Sequence, residues 1–209
     1  MADLKVLADA VIKGDQATAV EIVKQAVEEK MPSRQILEEG LISAMAIVGD
    51  RFSKNEIYIP EMLIAARAMK SAVEILEPIL VKDGVEPVGK FMIGTVAGDL
   101  HDIGKNLVAM MMKGAGFDVI DIGVDVTAEA FVQKAKENDV HVIGLSALLT
   151  TTMPAMEATI KALKEAGIKA KIIIGGAPVT QAYADKIGAD GYSADAASAV
   201  DIAKGLMAA

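Results

Sequence analysis

The sequence predicts an α and α/β chain: an N-terminal four-helix bundle followed by a domain built on a five-stranded parallel sheet. Three observations predict it. Apolar residues up to residue 84 recur at helical spacing, and beyond residue 89 short β-branched runs alternate with helical stretches. Glycine usage also shifts: Gly14, Gly40, Gly49 and Gly84 are the four of the helical region, and the remainder of the 18 lie beyond it. The polar stretch Lys82–Gly89, punctuated by Gly and Pro, places the boundary. It divides the chain into a helical region (residues 1–84), a linker (85–89) and an α/β region (90–209).

In the helical region, Leu4, Leu7, Ala8, Val11 and Ile12 fall on one helical face. Gly14-Asp15 breaks that helix, and Val20, Val23 and Val27 define the next. Ser33, after Pro32, is read as the N-cap of a third helix carrying Ile36, Leu37, Leu41, Ile42 and Met45. A fourth runs from about Pro60, suited to a first turn, through Leu63, Ile64, Ala68 and Ile75 to Leu80. Short loops between them predict an antiparallel bundle. Its alanines Ala65, Ala66 and Ala68 allow close approach of either a flat ligand or another helix. Between the third and fourth helices, bulky Phe52, Ile57, Tyr58 and Ile59 sit beside a turn.

In the α/β region, strands are read at Phe91–Val96, Val119–Ile122, Val142–Leu145, Ile172–Ile174 and, more weakly, Gly191-Tyr192. Helices fall at about 104–114, 127–138, 153–166, 178–187 and 195–207. Nearly continuous apolar strands alternating with helices mean a parallel sheet covered on both faces. The pattern fits a flavodoxin-like, Rossmann-like doubly wound domain with strand order 2-1-3-4-5. Met110-Met111-Met112, beside Leu107 and Val108, reads as core packing rather than a soft-ligand site.

Composition narrows the functions. The 209 residues are 53% hydrophobic and 24% charged, enough to bury a core, and the formal net charge is −8. That balance argues against nucleic acid or an anionic membrane as the main partner, because both require a basic footprint. There is no apolar run of membrane-spanning length and no secretory start at the N-terminus, so a cytoplasmic protein is expected. With zero cysteines, thiolate chemistry is excluded, and only His101 and His141 remain for imidazole chemistry.

In a doubly wound sheet, ligands bind beyond the carboxyl ends of the strands, at the switch point between the first and third. After the first strand comes Asp99-Leu-His101-Asp102-Ile103-Gly104, after the third Ser146-Ala-Leu148-Leu-Thr150-Thr-Thr152, and after the fourth Gly175-Gly176. A carboxylate two residues from an imidazole can accept its N–H, fix the tautomer and leave the other nitrogen free for a metal. Gly104 lets a bulky ligand approach the backbone. The hydroxyls can face a buried heteroaromatic ligand or cap the next helix, and the glycine pair can make ligand space or a plain tight turn. His141 opens a strand away from this edge and reads as structural. One imidazole without thiols or clustered carboxylates holds a bare zinc or iron ion poorly, so a metal at His101 should bring its other ligands inside a macrocycle. No dinucleotide or P-loop fingerprint is present.

With these separations, Asp99-x-His101-x-x-Gly104, Ser146-x-Leu148 and Gly175-Gly176 resemble the cobalamin-binding signature of methionine synthase and its relatives. The helical region, including Gly49-Asp-Arg-Phe52…Ile59-Pro60, is similar to the helical cap that accompanies it. The whole chain resembles the corrinoid proteins of anaerobic three-component methyltransferase systems. The resemblance implies a methyl-carrying protein that binds cobalamin or a related corrinoid, in its methylcobalamin form, with cobalt held by His101. It implies that Asp99 bonds His101 and that Asp102, Ile103 and Gly104 belong to the cofactor loop. Ser146, Leu148, Thr150, Gly175 and Gly176 would accommodate the displaced nucleotide tail. Phe52 and Ile59 match the hydrophobic cap. Thr152 stands where methionine synthase extends its His–Asp relay to a serine. Implied partners are a substrate-specific methyltransferase, a second methyltransferase with a pterin or thiol acceptor, and a reductive activation protein. Two other classes share the core: a cobalamin-dependent sensor, for which no output domain is visible, and the small subunit of an adenosylcobalamin mutase, which does not require the Phe52–Ile59 cap.

Overall fold

The structure, a computed structural model, describes residues 2–208. The chain divides into two compact units: one reaching to Pro87 and including Gly114–Gly116, the other comprising Val88–Lys113 and the chain from Phe117 onward.

In the helical unit, Asp3 caps α1 (Leu4–Lys13) by accepting from the N–H groups of Lys5 and Val6, and Gly14, in the left-handed conformation, ends it. Asp15 then caps α2 (Gln16–Glu28). The third helical stretch differs from the expectation in two ways. Pro32, not Ser33, takes the N-cap position of α3 (Ser33–Gln35), because the Ser33 hydroxyl is buried and donates to Asp83 at 2.5 Å. The stretch is also not uniformly α-helical: Ile36–Ile42 is a π-helical segment running into α4 (Ser43–Ser53). The long α5 (Ile59–Lys82) starts one residue before the expected Pro60, and Glu61 accepts from the Tyr58 N–H at 3.1 Å in a capping arrangement. Leu7, Ile36, Leu41, Met45, Met62 and Leu76 are fully buried between these helices. Ala65, Ala66 and Ala68 are buried too, on the packed side of α5. No helix among the described residues is long and apolar enough to cross a membrane.

The second unit alternates strand and helix as expected. Its strands are β1 (Lys90–Thr95), β2 (Asp118–Asp121), β3 (Val142–Ser146), β4 (Lys171–Gly175) and β5 (Gly191–Ser193). They form one parallel sheet in the order β2-β1-β3-β4-β5. The helices are α6 (Ile103–Gly114), α7 (Ala128–Asn138), α8 (Met153–Glu165), α9 (Gln181–Ile187) and α10 (Ala196–Ala208). Helix α9 starts three residues later than read, because Thr180, not Pro178, supplies its cap by accepting from the Tyr183 N–H. The central strands are buried on both faces, and Phe91, Met92, Phe131, Ile143 and Met156 are fully buried. Each such side chain contributes roughly 2–3 kcal/mol of hydrophobic burial. Met111 and Met112 are buried too. His141, at the amino end of the sheet, accepts the Lys90 N–H on Nδ1 at 3.0 Å, a strand-pinning bond far from the carboxyl edge.

The register makes the carboxyl edge chemically distinct. Thr95 pairs with Ser146, Ser146 with Gly175 and Gly175 with Ser193, so hydroxyls and a glycine form one row across four strands. The loops carrying the expected site leave from this row.

Candidate functional site

The turn after β1 builds the site. Asp99 is completely buried, while the His101 side chain keeps 51% of its surface exposed. A buried carboxylate needs partners, and this one has four. Its Oδ1 accepts from the His101 ring Nδ1 at 2.7 Å and from the His101 N–H at 3.1 Å. Its Oδ2 accepts from the Leu148 N–H at 2.8 Å and from the Thr152 hydroxyl at 2.7 Å. Burial pushes the Asp99 pKa up, but the bonds from Thr152, Leu148 and His101 outweigh it, and the carboxyl titrates well below the ordinary carboxylate range. An ionised carboxylate only accepts, so the ring proton sits on Nδ1 and the lone pair on Nε2. Nε2 has no hydrogen-bond partner among the described residues.

Long-range bonds fix the rest of the turn. The buried Thr95 hydroxyl, at the end of β1, donates to the His101 carbonyl at 2.8 Å. Asp102 begins α6: its carbonyl accepts the Asn106 N–H at 2.8 Å and its carboxylate the Asn106 side chain at 3.0 Å. The buried Lys105 donates to Asp121 at 2.6 Å and to Asn106 at 2.7 Å, and its ammonium helps hold the Asp121 carboxyl below its usual range against burial.

The residues expected at the site separate into groups. Asp99, His101, Leu148 and Thr152 form one hydrogen-bonded cluster. Asp102, Ile103 and Gly104 follow it into α6, with Ile103 71% exposed and open space where a Gly104 Cβ would stand. Ser146 is half-buried in the edge row, and Leu148 and Thr150 are exposed on the β3–α8 loop. The backbone of Leu148, more than its side chain, is tied into the cluster. Gly175 faces Ser193, whereas Gly176 lies against the Ala147 carbonyl, so a side chain there would meet the protein's own backbone. Phe52, half-buried near the end of α4, and Ile59, exposed at the start of α5, belong to the helical unit. Sequence reading overlooked Thr95, Lys105 and Asp121. A buried threonine closing an apolar strand, and a lysine one turn into an amphipathic helix, are the signals that pointed to them.

Thr152 resolves the two readings of the β3–α8 hydroxyls in one place. It occupies the N-cap position of α8 but makes no capping bond. Its hydroxyl lies 2.7 Å from Asp99 Oδ2 and 2.9 Å from the Leu149 carbonyl, and the charged acceptor is the stronger of the two. Replacing Thr152 by Val is expected to cost about 1–3 kcal/mol at pH 7. Because the folded-state pKa of Asp99 is depressed, its contribution is present above about pH 4 and is lost as pH falls through the folded value. The variant raises that value, so the stability gap narrows towards acid. Urea unfolding from pH 7 down to about pH 1.5 checks this; a gap that stays constant over that range would mean that Thr152 supports Asp99 by packing alone.

This donor set suits a macrocyclic metal cofactor. Among the described residues no group of three or more His, Cys, Asp and Glu is placed to hold an ion, so His101 can contribute only one ligand. Around it, Leu100 and Ile103 are more than 70% exposed and Leu148 and Leu149 more than 40%, an apolar rim appropriate to a broad flat ligand.

Comparison with known proteins gives the same direction. A B12 binding domain family matches residues 89–201, and a second B12 binding domain family matches residues 4–77. The chain is 41% identical to a corrinoid protein of Desulfitobacterium hafniense, over 99% of this chain and 98% of that protein. It is 44% identical to dimethylamine corrinoid protein 3 of Methanosarcina acetivorans, over 99% of this chain and 100% of that one. Among solved structures, it is similar to a cobalamin-binding protein of Desulfitobacterium hafniense (TM-score 0.83, 33% identity, 99% of each chain). It is also similar to a chain of the methanol:cobalamin methyltransferase complex MtaBC of Methanosarcina barkeri (TM-score 0.86, 28% identity, 98% of this chain and 79% of that chain).

Proposed function

Because this chain belongs to the family of B12-binding corrinoid proteins, we propose that it is the methyl-carrying component of a methyltransferase system, with His101 as the protein ligand to cobalt. The observation that carries the reading is the Asp99–His101 pair: a buried carboxylate with four bonds, holding a half-exposed imidazole by Nδ1 so that Nε2 alone is available. When bound, the corrinoid supplies a cobalt ion that takes up a methyl group and gives it away.

The protein's own residues have three roles. Asp99 keeps the ring in one tautomer with Nε2 available, and Thr152 and the Leu148 N–H keep Asp99 charged. Asp102, Ile103 and Gly104 border His101, and the row Thr95, Ser146, Gly175 and Ser193, with Leu148, Thr150 and Gly176 on its loops, is the region assigned to the nucleotide tail. Phe52 and Ile59 are assigned to shielding. The exposed apolar side chains Tyr58, Ile59, Leu63 and Ile64 on and beside α5 support that assignment.

As a carrier, the chain needs proteins that load and unload it. We assign to it a substrate-specific methyltransferase, a second methyltransferase with a pterin or thiol acceptor, and a reductive activation protein, all in the cytoplasm. Relatives named for dimethylamine make methylamines the first donors to try. The test is reconstitution: reduced holoprotein, one candidate methyltransferase at a time, and isotopically labelled dimethylamine, trimethylamine or methanol. Label on the corrinoid with one matched pair is the expected result. Label with no pair, together with adenosyl-dependent rearrangement activity when a mutase large subunit is added, overturns it.

A further inference from the structure

We propose that Asp125, in the loop between β2 and α7, is a positioning residue that fixes the Asp99–His101 turn for corrinoid ligation; the proposal rests on His101 being the ligand. Its backbone marks it out. Among the described residues, four non-glycine residues have positive φ: Lys30, Asn55, Asp125 and Asp139. Three of them end helices, where a left-handed residue is routine: Lys30 follows α2, Asn55 follows α4 and Asp139 caps α7. Asp125, at φ +53°, ends no helix. A left-handed residue away from a helix end is a local cost retained for something else.

What it does instead is grip the turn twice. Its carboxylate accepts the Gly98 N–H at 2.7 Å, and its own N–H donates to the Asp99 carbonyl at 3.0 Å. Gly98 is itself left-handed, at φ +81°, so the two special conformations face each other across these bonds. The next residue continues the frame: Val126 bridges Val96 and donates to the Thr95 carbonyl, while Thr95 donates to Gly123. Asp121, at the end of β2, holds the far side through the buried Lys105. The backbone around His101 is thus held at residues 98, 99 and 101, the Lys105 side chain ties the start of α6 to Asp121, and the imidazole remains half-exposed at the centre.

The side-chain requirement is narrow. Aspartate and asparagine tolerate the left-handed region better than other non-glycine residues and carry an oxygen of the right reach. Alanine removes the acceptor and keeps the backbone cost. Asp125 acts through the backbone of Gly98 and Asp99 and makes no hydrogen bond to the ring.

The test compares D125A, D125N and H101A with the parent, as apoprotein and as holoprotein. In the apoprotein, NMR follows exchange of the Gly98 amide proton and of the His101 ring proton on Nδ1. D125A is expected to speed exchange at Gly98 by about 10-fold or more. It is also expected to weaken corrinoid binding by about 10-fold and to diminish the axial-nitrogen signal of the paramagnetic holoprotein. D125N is expected to stay within about 3-fold of the parent on each measure, since its amide oxygen can replace the carboxylate. A role confined to general stability would lower the melting temperature and leave the axial-nitrogen signal intact, which also overturns the proposal. So does a D125A that leaves exchange and corrinoid binding unchanged, or a D125N as damaging as D125A. If H101A keeps the parent's axial-nitrogen signal, the ligand assignment falls instead, and the apoprotein exchange rates still decide the clamp.

Discussion

His101→Ala is expected to abolish axial nitrogen coordination and to weaken corrinoid binding by more than about 100-fold. Loss of an outer-sphere partner typically costs ~10–100-fold in metal affinity, and the ligand itself is worth more than its supports. The variant should still fold. The ring is half-exposed, and Asp99 keeps its bonds from Leu148 and Thr152, so the stability cost is about 1 kcal/mol after solvent screening. The measurements are the nitrogen hyperfine pattern of the paramagnetic holoprotein and a binding titration, set beside urea unfolding of the apoprotein. A fold that is intact with binding lost separates a ligand from a structural histidine. Unchanged binding would move the ligand elsewhere, and His141 could not replace it, because its Nδ1 is engaged by Lys90 at the opposite end of the sheet.

The second large effect is expected at Gly176, and its neighbours supply the contrast. At φ +134° any side chain is strained, and a Cβ at 176 would stand 1.8 Å from the Ala147 carbonyl oxygen, a backbone atom that cannot turn aside. Gly176→Ala should therefore destabilise the α/β unit by about 3–5 kcal/mol and lose corrinoid binding with it. Gly175→Ala meets Ser193 at 3.2–3.3 Å, where a small adjustment suffices, so about 1 kcal/mol or less is expected. Gly104→Ala has nothing within 4 Å and lies inside α6, where alanine stabilises a helix by up to ~1 kcal/mol. There the fold should gain while corrinoid binding falls, if that open space is where the ligand lies. Thermal melts and binding titrations on the three variants check the pattern. Equal behaviour of Gly104→Ala and Gly176→Ala in both assays would contradict the division of labour between them.

These glycines illustrate what the sequence could disclose. The pair 175–176 was legible as a site signal, but two reasons for it, ligand space and chain geometry, were equally compatible with the letters. The structure supplies a chain-geometry reason at Gly176, where a Cβ would meet the Ala147 carbonyl. Strand order was legible because the central strands are short buried runs and a helix lies between each strand and the next. The Asp99–His101 pair was legible because its partners lie two residues apart. Of its supports, Thr152, 53 residues from Asp99, was marked only through the resemblance; the Leu148 N–H, 49 residues from Asp99, and Asp125, 27 from Gly98, were not marked at all, and only the folded sheet edge brings them together. The π-helical segment Ile36–Ile42 was hidden for another reason. Ile36, Leu37, Leu41 and Ile42 satisfy an α-helical stripe equally well, and one widened turn does not disturb the pattern enough to show. Ser33 misled for a similar reason, as its hydroxyl found a distant acceptor in Asp83 rather than the nearby backbone.

The solitary imidazole has a consequence for how such a protein survives among competing ions. Divalent zinc, nickel and copper gain most of their hold on proteins by recruiting several donors at once, and the strongest sites use thiolates. A chain with no cysteine, two exposed imidazoles at opposite ends of the sheet and, beside His101, a carboxylate already committed to four hydrogen bonds offers them little. Mismetallation is thereby discouraged without any dedicated gate: selectivity is delegated to a pigment that arrives already chelated, and the polypeptide needs only to recognise the package.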